Sequence, residues 1–500
     1  MRRTFFTVSA IVVVIVALIG IRHPGAWWSM TILGPLILLG GYDLVQTKHT
    51  ILRNFPIIGY FRYFFEFISP ELQQYFIERH TDGMPLSRNH RAIVYKRAKD
   101  IEATHPFGTE LDLYSARYEG LKHTIYPVKP PDEPPRVRFG GAACKQPYDA
   151  SILNISAMSF GALSKNAVLA LNEGAKIGGF YHNTGEGGLS DYHLAGGGDL
   201  VWQIGTAYFG CRTHEGRFEP GAFARGAAHP QVKMIELKIS QGAKPGHGGV
   251  LPAIKNTEEI ARIRLLEPRT TVLSPPGHPE FSDAEGLLRF VGRLRELSGG
   301  KPTGFKLCIG RKREFVDICE AMKTTGIIPD FITVDGAEGG TGAAPLEYSD
   351  AVGMPIEPAL RFVDTTLREH GLRESLRLIA SGKAVTAASI IRLLSIGADT
   401  CNSARAFMLA IGCIQAQRCD TNKCPTGVTT QNPRLVRGLV VEEKKHRVAN
   451  FHRHTVRAVL EMAAACGIDS LDDLSPDLFM HGTDWRPEGG PPGQAPSWRI

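Results

Sequence analysis

"GFKLCIGRKREFVDICEAMKTTGIIPDFITVDGAEGG", residues 304–340, is the stretch that decides the fold. Two short apolar runs, 304–310 and 330–336, each close on glycine, and the chain between them is long enough for a helix. Strand, helix and strand in this order read as a βα unit with parallel strands. Similar runs stand at 151–158, 178–185, 233–240, 271–275, 376–382 and 398–406, which brings the count to eight. Eight such units between about 150 and 425 predict an α/β fold, a (β/α)8 TIM barrel. A doubly wound sheet is the alternative. It calls for a G-x-G-x-x-G turn after the first strand, which the sequence does not show. No repeat of 20–50 residues is visible either.

Outward from the barrel, the N-terminus has a different character. Residues 4–21 and 24–42 are two uncharged apolar stretches, separated only by Arg22 and His23, with Trp27 and Trp28 at the junction. Each is about long enough to cross a ~30 Å hydrocarbon core, and tryptophans suit the interface. A cleaved signal peptide is the other reading of the first stretch, but no small-x-small site is evident and a second span follows at once. Residues 1–48 are therefore expected to form a transmembrane helical hairpin. Arg2 and Arg3 precede it and Lys48, Arg53 and Arg62 follow, so both ends, and the catalytic domain, are expected to face the cytoplasm.

Residues 49–140 read as a helical and extended collar. Its aromatic stretch "RNFPIIGYFRYFFEFISPELQQYFIERHTDG" (53–83) is amphipathic, with the membrane surface and the barrel both open as its partner. Residues 126–141 form a Pro-rich connector, 433–483 a C-terminal helical segment, and 484–500 a Pro/Gly-rich tail expected to be disordered. The formal charge of +7 comes with no dense Lys/Arg run, which argues against nucleic acid as a partner. Nine cysteines without regular pairing fit a reducing compartment better than a disulfide scaffold.

In such barrels chemistry sits in the loops after the strands. In the stretch Ser156, Ala157, Met158 and Ser159 the small and hydroxyl residues leave room for a flat ring. Asn183 closes the second run, and Glu186 lies among glycines just beyond it, able to meet an amine or carry a proton. Gln241, Lys244 and His247 sit in a Gly/Pro frame after the third. Lys306 lies inside an apolar strand and needs an anionic partner. Gly339, Gly340, Gly382, Lys383, Ala404 and Arg405 follow the last three strands, where bare N–H groups and two cations suit a phosphate.

Directly downstream, "CIQAQRCDTNKCP" (413–425) carries Cys413, Cys419 and Cys424. Three thiolates suit a zinc site completed from elsewhere, an iron–sulfur cluster lacking one corner, or three unrelated buried thiols.

These motifs together resemble the FMN-binding synthase domain of glutamate synthase: "SAMSFGALS" (156–164), "NTGEGG" (183–188), "QGAKPGHGG" (241–249), "SPPGHPEFSD" (274–283), "DGAEGGTGAAP" (335–345) and the cysteine loop. The resemblance runs from about 150 to 432, within a domain placed at 141–432, and covers more than half the chain. It implies FMN and a [3Fe–4S] cluster held by Cys413, Cys419 and Cys424, with Ser156, Ala157, Met158, Ser159, Asn183, Lys306, Gly339, Gly340, Gly382, Lys383, Ala404 and Arg405 around the flavin. It implies Glu186, Lys306 and Gln241 as catalytic. The implied reaction reduces 2-iminoglutarate, formed from 2-oxoglutarate and ammonia or another amine, to L-glutamate. An electron donor such as ferredoxin or a reductase subunit would feed it. The sequence departs from the long enzymes in starting "MRRTFF" instead of with a glutaminase cysteine, in lacking the C-terminal β-helix, and in having His247 where they have Glu. A related amine-transferring enzyme such as N-methylglutamate synthase, or a non-enzymatic redox relay subunit, is the alternative.

Overall fold

A computed structural model describes residues 1–484. They fall into two compact units, Met1–Arg88 and a second beginning at Asn89. The tail expected to be disordered lies, from residue 485, outside the described residues.

In the first unit, helices Arg2–Arg22 and Met30–Val45 are joined by a 3-10 turn at Pro24–Ser29. The segments Arg2–Arg22 and Pro24–Val45 are each long and apolar enough to cross a membrane. Their close approach depends on glycine: a Cβ on Gly40 would stand 2.3 Å from the Phe5 ring. At the base of the hairpin Asp43 is wholly buried and accepts hydrogen bonds from the Ile57 N–H and the Tyr60 hydroxyl, both at 3.0 Å. This ties down the start of helix Gly59–Leu72. That helix exposes Phe61, Phe64 and Phe65 along one stripe, and on another face Arg62 pairs with Glu66 at 2.8 Å. The 3.6-residue period separates the two stripes.

In the second unit eight parallel strands close into a barrel. They are β1 (Leu153–Ile155), β2 (His182–Asn183), β3 (Leu200–Ile204), β4 (Val232–Lys238), β5 (Thr303–Leu307), β6 (Phe331–Asp335), β7 (Arg377–Ser381) and β8 (Thr400–Ser403). β8 returns to β1, Cys401 beside Leu153 and Ser403 beside Ile155. The (β/α)8 expectation holds, but one strand was misplaced. The run at 271–275 contributes only Val272–Leu273, which pairs antiparallel with Val250–Leu251 outside the barrel. Pro275 and Pro276 follow it and cannot donate to a ladder. The true third strand is "LVWQI", every residue of it buried. Gln203 in its middle and the glycines before it hide its apolar pattern. The Pro-rich connector likewise contains a strand, Arg136–Phe139, paired antiparallel with Tyr148–Ser151.

Local chemistry sets the surrounding helices. Asp283 caps helix Ala284–Leu297 by accepting from the Gly286 N–H at 2.7 Å, and Leu287, Leu288, Val291 and Leu294 form its buried stripe. Helix Lys165–Gly178 starts on Ser164 and stops at Gly179 in the left-handed region, φ 67°. It packs so tightly on the long helix Val441–Ala465 that a Cβ on Gly174 would meet the Lys445 carbonyl at 2.7 Å.

The barrel interior alternates by the period of two along each strand. Tyr181, Val201, Met234, Phe331 and Ile379 fill its lower layer, closed from below by Phe139 and Ala150. Above them the layer turns polar. Glu236 on β4 accepts from Asn183 (2.8 Å), Gln203 (2.6 Å) and Thr333 (2.6 Å), joining β2, β3, β4 and β6. Near β5 and β6, Arg295 donates to buried Asp330 at 2.9 Å, and Asp330 also accepts from the N–H groups of Thr303 and Gly141. Removing one partner of such a buried pair costs roughly 3–5 kcal/mol. Arg295→Met should lose about that much in denaturant unfolding, while Arg289→Met, whose exposed partner is Glu285, should change little.

Candidate active site

The upper ends of β4 and β5 set the site's charge problem. Lys238 and Lys306 are register neighbours on adjacent strands, and both are buried. Like charges side by side repel, more so out of water, so each needs its own carboxylate. Lys238 Nζ donates to Glu186 Oε1 and to Gln241 Oε1, each at 2.8 Å. Lys306 pairs with Asp335 Oδ2 at 3.3 Å, and the same oxygen accepts from the Gly242 N–H at 2.7 Å. Two predicted residues from separate loops, Glu186 and Gln241, thus meet on a lysine that sequence reading passed over. The signal was present: Glu236 and Lys238 are two residues apart in an apolar run, so they share a face, and that face is the barrel interior.

Glu186 is enclosed. Burial pushes its carboxyl up, but Lys238 beside it, with Arg264 and Lys244 near, outweighs burial and holds it below its ordinary value. Lys244 donates to the Ala343 carbonyl at 3.0 Å, and burial brings its amine down to about 8. Arg264 donates to the Phe160 carbonyl at 2.9 Å, lies 5.1 Å over the Phe209 ring, and is lowered by burial to about 10. Four cations around two carboxylates leave a surplus of positive charge, suited to an anionic ligand. Glycine makes this crowding possible. A Cβ on Gly249 or Gly205 would come within 2.6 Å of a Glu186 oxygen. Gly185, at φ 66°, would strike the Ser159 N–H at 2.7 Å.

His278, unremarked beyond its motif, braces the same lysine. Its Nε2 lies 2.8 Å from the Lys238 carbonyl and its Nδ1 3.0 Å from the Tyr208 hydroxyl. A carbonyl only accepts, so Nε2 carries the proton and Nδ1 accepts from Tyr208. Burial lowers this imidazole to about 4, which keeps it neutral.

Ser156, Ala157, Met158 and Ser159 follow β1, and Ser156 Oγ lies 3.5 Å from Ser381 Oγ. Asn183 turns inward: its amide serves Glu236 and its oxygen accepts from the Gly185 N–H. Gly339 and Gly340 follow β6, Gly382 and Lys383 follow β7, and Ala404 directly precedes the short helix that opens at Arg405 after β8. Arg405 donates to the Glu338 carbonyl. Burial, and then Arg405, lower the Lys383 amine, and burial lowers Arg405. His247 stacks edge-on against Tyr348 and lies apart from Glu186's hydrogen-bond set.

The cysteine loop abuts this region. A Cβ on Gly342, in the loop after β6, would touch Cys419 at 3.3 Å. Cys413, Cys419 and Cys424 line one small pocket with Pro425 and Thr426. Burial pushes Cys413 up to about 12 and raises Cys419. Burial also opposes ionisation of Cys424, but the Thr426 hydroxyl, 3.5 Å away, and nearby N–H groups hold it below its ordinary value. Tyr95 donates to the Cys413 carbonyl at 2.8 Å. Lys255, missed in the sequence, is buried and donates to the carbonyls of Cys419 (2.7 Å) and Ala162 (3.2 Å). Among the described residues no three His, Cys, Asp or Glu side chains close on one point as ligands of a single ion would. Three thiols on one pocket beside a buried ammonium have the donor set and charge balance that an anionic cluster needs.

Residues 144–469 match a family described as a conserved region in glutamate synthase. The chain is 39% identical over 469 residues to the glutamate synthase large subunit-like protein YerD of Bacillus subtilis (strain 168), covering 86% of this chain and 89% of that one. It is 36% identical over 320 residues to the archaeal glutamate synthase [NADPH] of Methanocaldococcus jannaschii, covering 64% of this chain and 60% of that one. A third relative, the glutamate synthase large subunit-like protein of Rhizobium meliloti (strain 1021), is 29% identical over 386 residues, covering 71% and 83%.

The Glu186–Lys238 pair predicts a pH signature. In the wild type the folded carboxyl lies below its unfolded value, so its contribution is complete above about pH 4.3 and is lost as pH falls through the folded value. In Lys238→Met burial is no longer offset by its nearest cation, and the carboxyl should rise above its unfolded value. Its contribution then survives only at low pH and is lost as pH rises. Denaturant midpoints from pH 3 to 7 should therefore rise for the wild type relative to Glu186→Gln and fall for Lys238→Met relative to the Glu186→Gln/Lys238→Met double variant.

Proposed function

Because the chain belongs to the glutamate synthase family, we propose that it makes L-glutamate by reducing 2-iminoglutarate, the product of 2-oxoglutarate and ammonia or another amine. It is a glutamate synthase-like oxidoreductase. The observation that carries the finer reading is the meeting of four buried cations around Glu186 and Asp335, beside a Gly-rich pair of cationic loops and a three-thiol pocket.

Under this reading FMN lies at the barrel mouth. Gly340, Gly382 and Ala404 would offer N–H groups to its phosphate, with Lys383 and Arg405 as counter-charges, while Gly339, its N–H on the Gly336 carbonyl, would border the group. Ser156, Ala157, Met158, Ser159 and Asn183 would border the ring, and Lys306, braced by Asp335, would supply the cation that a reduced flavin calls for. Cys413, Cys419 and Cys424 would hold a [3Fe–4S] cluster. When bound, the cluster supplies single electrons and the flavin the two-electron reduction of a C=N bond.

The chain's own side chains do the rest. Lys238, Lys244 and Arg264 offset the two carboxylates of the keto acid, while Gln241 accepts from Lys238 and so holds the ammonium that fixes the Glu186 carboxylate. Glu186, ionised, accepts a hydrogen bond or proton from the incoming amine nitrogen. Electrons come from a donor such as ferredoxin or a reductase subunit. Residues 1–48 anchor the chain in the membrane as a hairpin, residues 49–140 lead from it to the catalytic domain at 141–432, and that domain faces the cytoplasm. The apolar length of the two helices and the flanking arginines and lysines support this placement.

Purified full-length chain in nanodiscs, given reduced ferredoxin, 2-oxoglutarate and ammonium, should form glutamate measurable by chromatography. Glu186→Gln should lower kcat/KM by roughly 10²–10⁴-fold while leaving bound flavin in place. Absence of glutamate with ammonium or simple amines, across several low-potential donors, would refute the reading. The Lys383→Gln/Arg405→Gln double variant should lose flavin on dialysis while keeping its wild-type circular dichroism.

A further inference from the structure

We propose that Lys255 is the buried counter-charge of the cysteine pocket and raises the reduction potential of the iron–sulfur cluster bound there. The inference rests on the cluster reading above and deepens it. Lys255 ends the 3-10 turn Ala253–Lys255, on the excursion between β4 and β5 that also holds the Val250–Leu251 and Val272–Leu273 hairpin. It is only 3% exposed. Its ammonium donates to two carbonyls, those of Cys419 and Ala162. Among the described residues no carboxylate lies within ion-pair distance of it. Lys238 and Lys306 have one, in Glu186 and Asp335. Lys244 and Lys301 are also buried and held by carbonyls, but of these lysines only Lys255 bonds to the cysteine loop.

Among the described residues two carbonyls meet two of its three N–H donors, and a buried ammonium left one donor short and without a counter-charge is costly. Through the Cys419 carbonyl the ammonium is fixed on the loop whose Cys419 and Cys424 thiols, both lining the pocket, can carry compensating negative charge. Asp420 also acts on it, but Asp420 is exposed and screened by water. A site occupied by thiolate-ligated iron supplies the missing negative charge. A fixed cation in a low-dielectric wall favours the state with one more electron. Lys255 does not touch the reacting atoms of the substrate, so it is a positioning residue. Loop anchoring alone would need a donor to the Cys419 carbonyl and not a charge, and this separates the two roles.

The test uses full-length protein with its cluster, reconstituted anaerobically where needed, and reads the midpoint potential by EPR in a mediator titration. Lys255→Gln keeps an N–H donor and loses the charge. Its one-electron equilibrium against a fixed mediator should shift at least tenfold toward the oxidised form, 59 mV for a one-electron couple. Lys255→Met should shift it the same way, Lys255→Arg should restore it, and Lys423→Gln, which removes an exposed charge, should leave it nearly unmoved. If both neutral variants fold by circular dichroism but fail to retain iron while Lys255→Arg retains it, the charge role also stands. A cluster bound in Lys255→Gln with wild-type potential overturns the proposal and leaves Lys255 as an anchor. A wild-type chain that binds flavin and makes glutamate but shows no iron–sulfur signal after reconstitution overturns it together with the cluster assignment, and leaves the synthase reading intact.

Discussion

One carboxylate inside the barrel underlies the site. Glu236 accepts from Asn183, Gln203 and Thr333, and so fixes four of the eight strands at one height. A charge at that depth is tolerated only when its oxygens are filled, because an uncompensated buried carboxylate is far costlier than the hydrogen bonds are worth. The same requirement sets the ends of β2 and β4, where Glu186, Lys238 and Gln241 begin. With β4 held in register, Lys238 falls beside Lys306, and the two lysines in turn demand Glu186 and Asp335. The mouth is a chain of such demands, each met by a residue on another strand or loop.

This explains why glycine crowds the site. Every oxygen of Glu186 is approached by backbone that a side chain would block, at Gly205 and at Gly249. Gly242 lies where a Cβ would stand 1.7 Å from the Gly336 carbonyl, and its N–H is thereby free to reach Asp335. High glycine content here is the price of bringing ion pairs together without solvent. It also leaves N–H groups bare in the loops after β6 and β7, where a phosphate can take them.

Much of this was legible from residue order alone. The βα spacing around 304–340 predicts the barrel, and the strand-end position of Glu186, Lys306, Lys383 and Arg405 predicts their common face. What escaped reading depends on tertiary pairing. "LVWQI" hides because Gln203 interrupts its apolar run, yet Gln203 is polar because Glu236 needs it. Lys238 and Asp335 look like ordinary strand-end charges until the barrel closes and sets them against Glu186 and Lys306. Lys255 lies far in sequence from the cysteines it meets, so no spacing could connect them. His278 belongs to a recognisable motif, but its role as a neutral brace for the Lys238 carbonyl follows only from burial.

The apolar hairpin and the barrel satisfy a buried carboxylate in the same way. Asp43 at the base of the apolar hairpin is satisfied by Ile57 and Tyr60, as Glu236 is by its three neighbours. Under the proposed function the cation-rich mouth holds a dicarboxylate keto acid against a flavin. The most direct measurement is the visible difference spectrum of the oxidised, flavin-loaded full-length chain titrated with 2-oxoglutarate. A saturable perturbation of the flavin bands, lost in Lys238→Met, is the predicted result. A flavin spectrum indifferent to 2-oxoglutarate at every concentration would contradict the account.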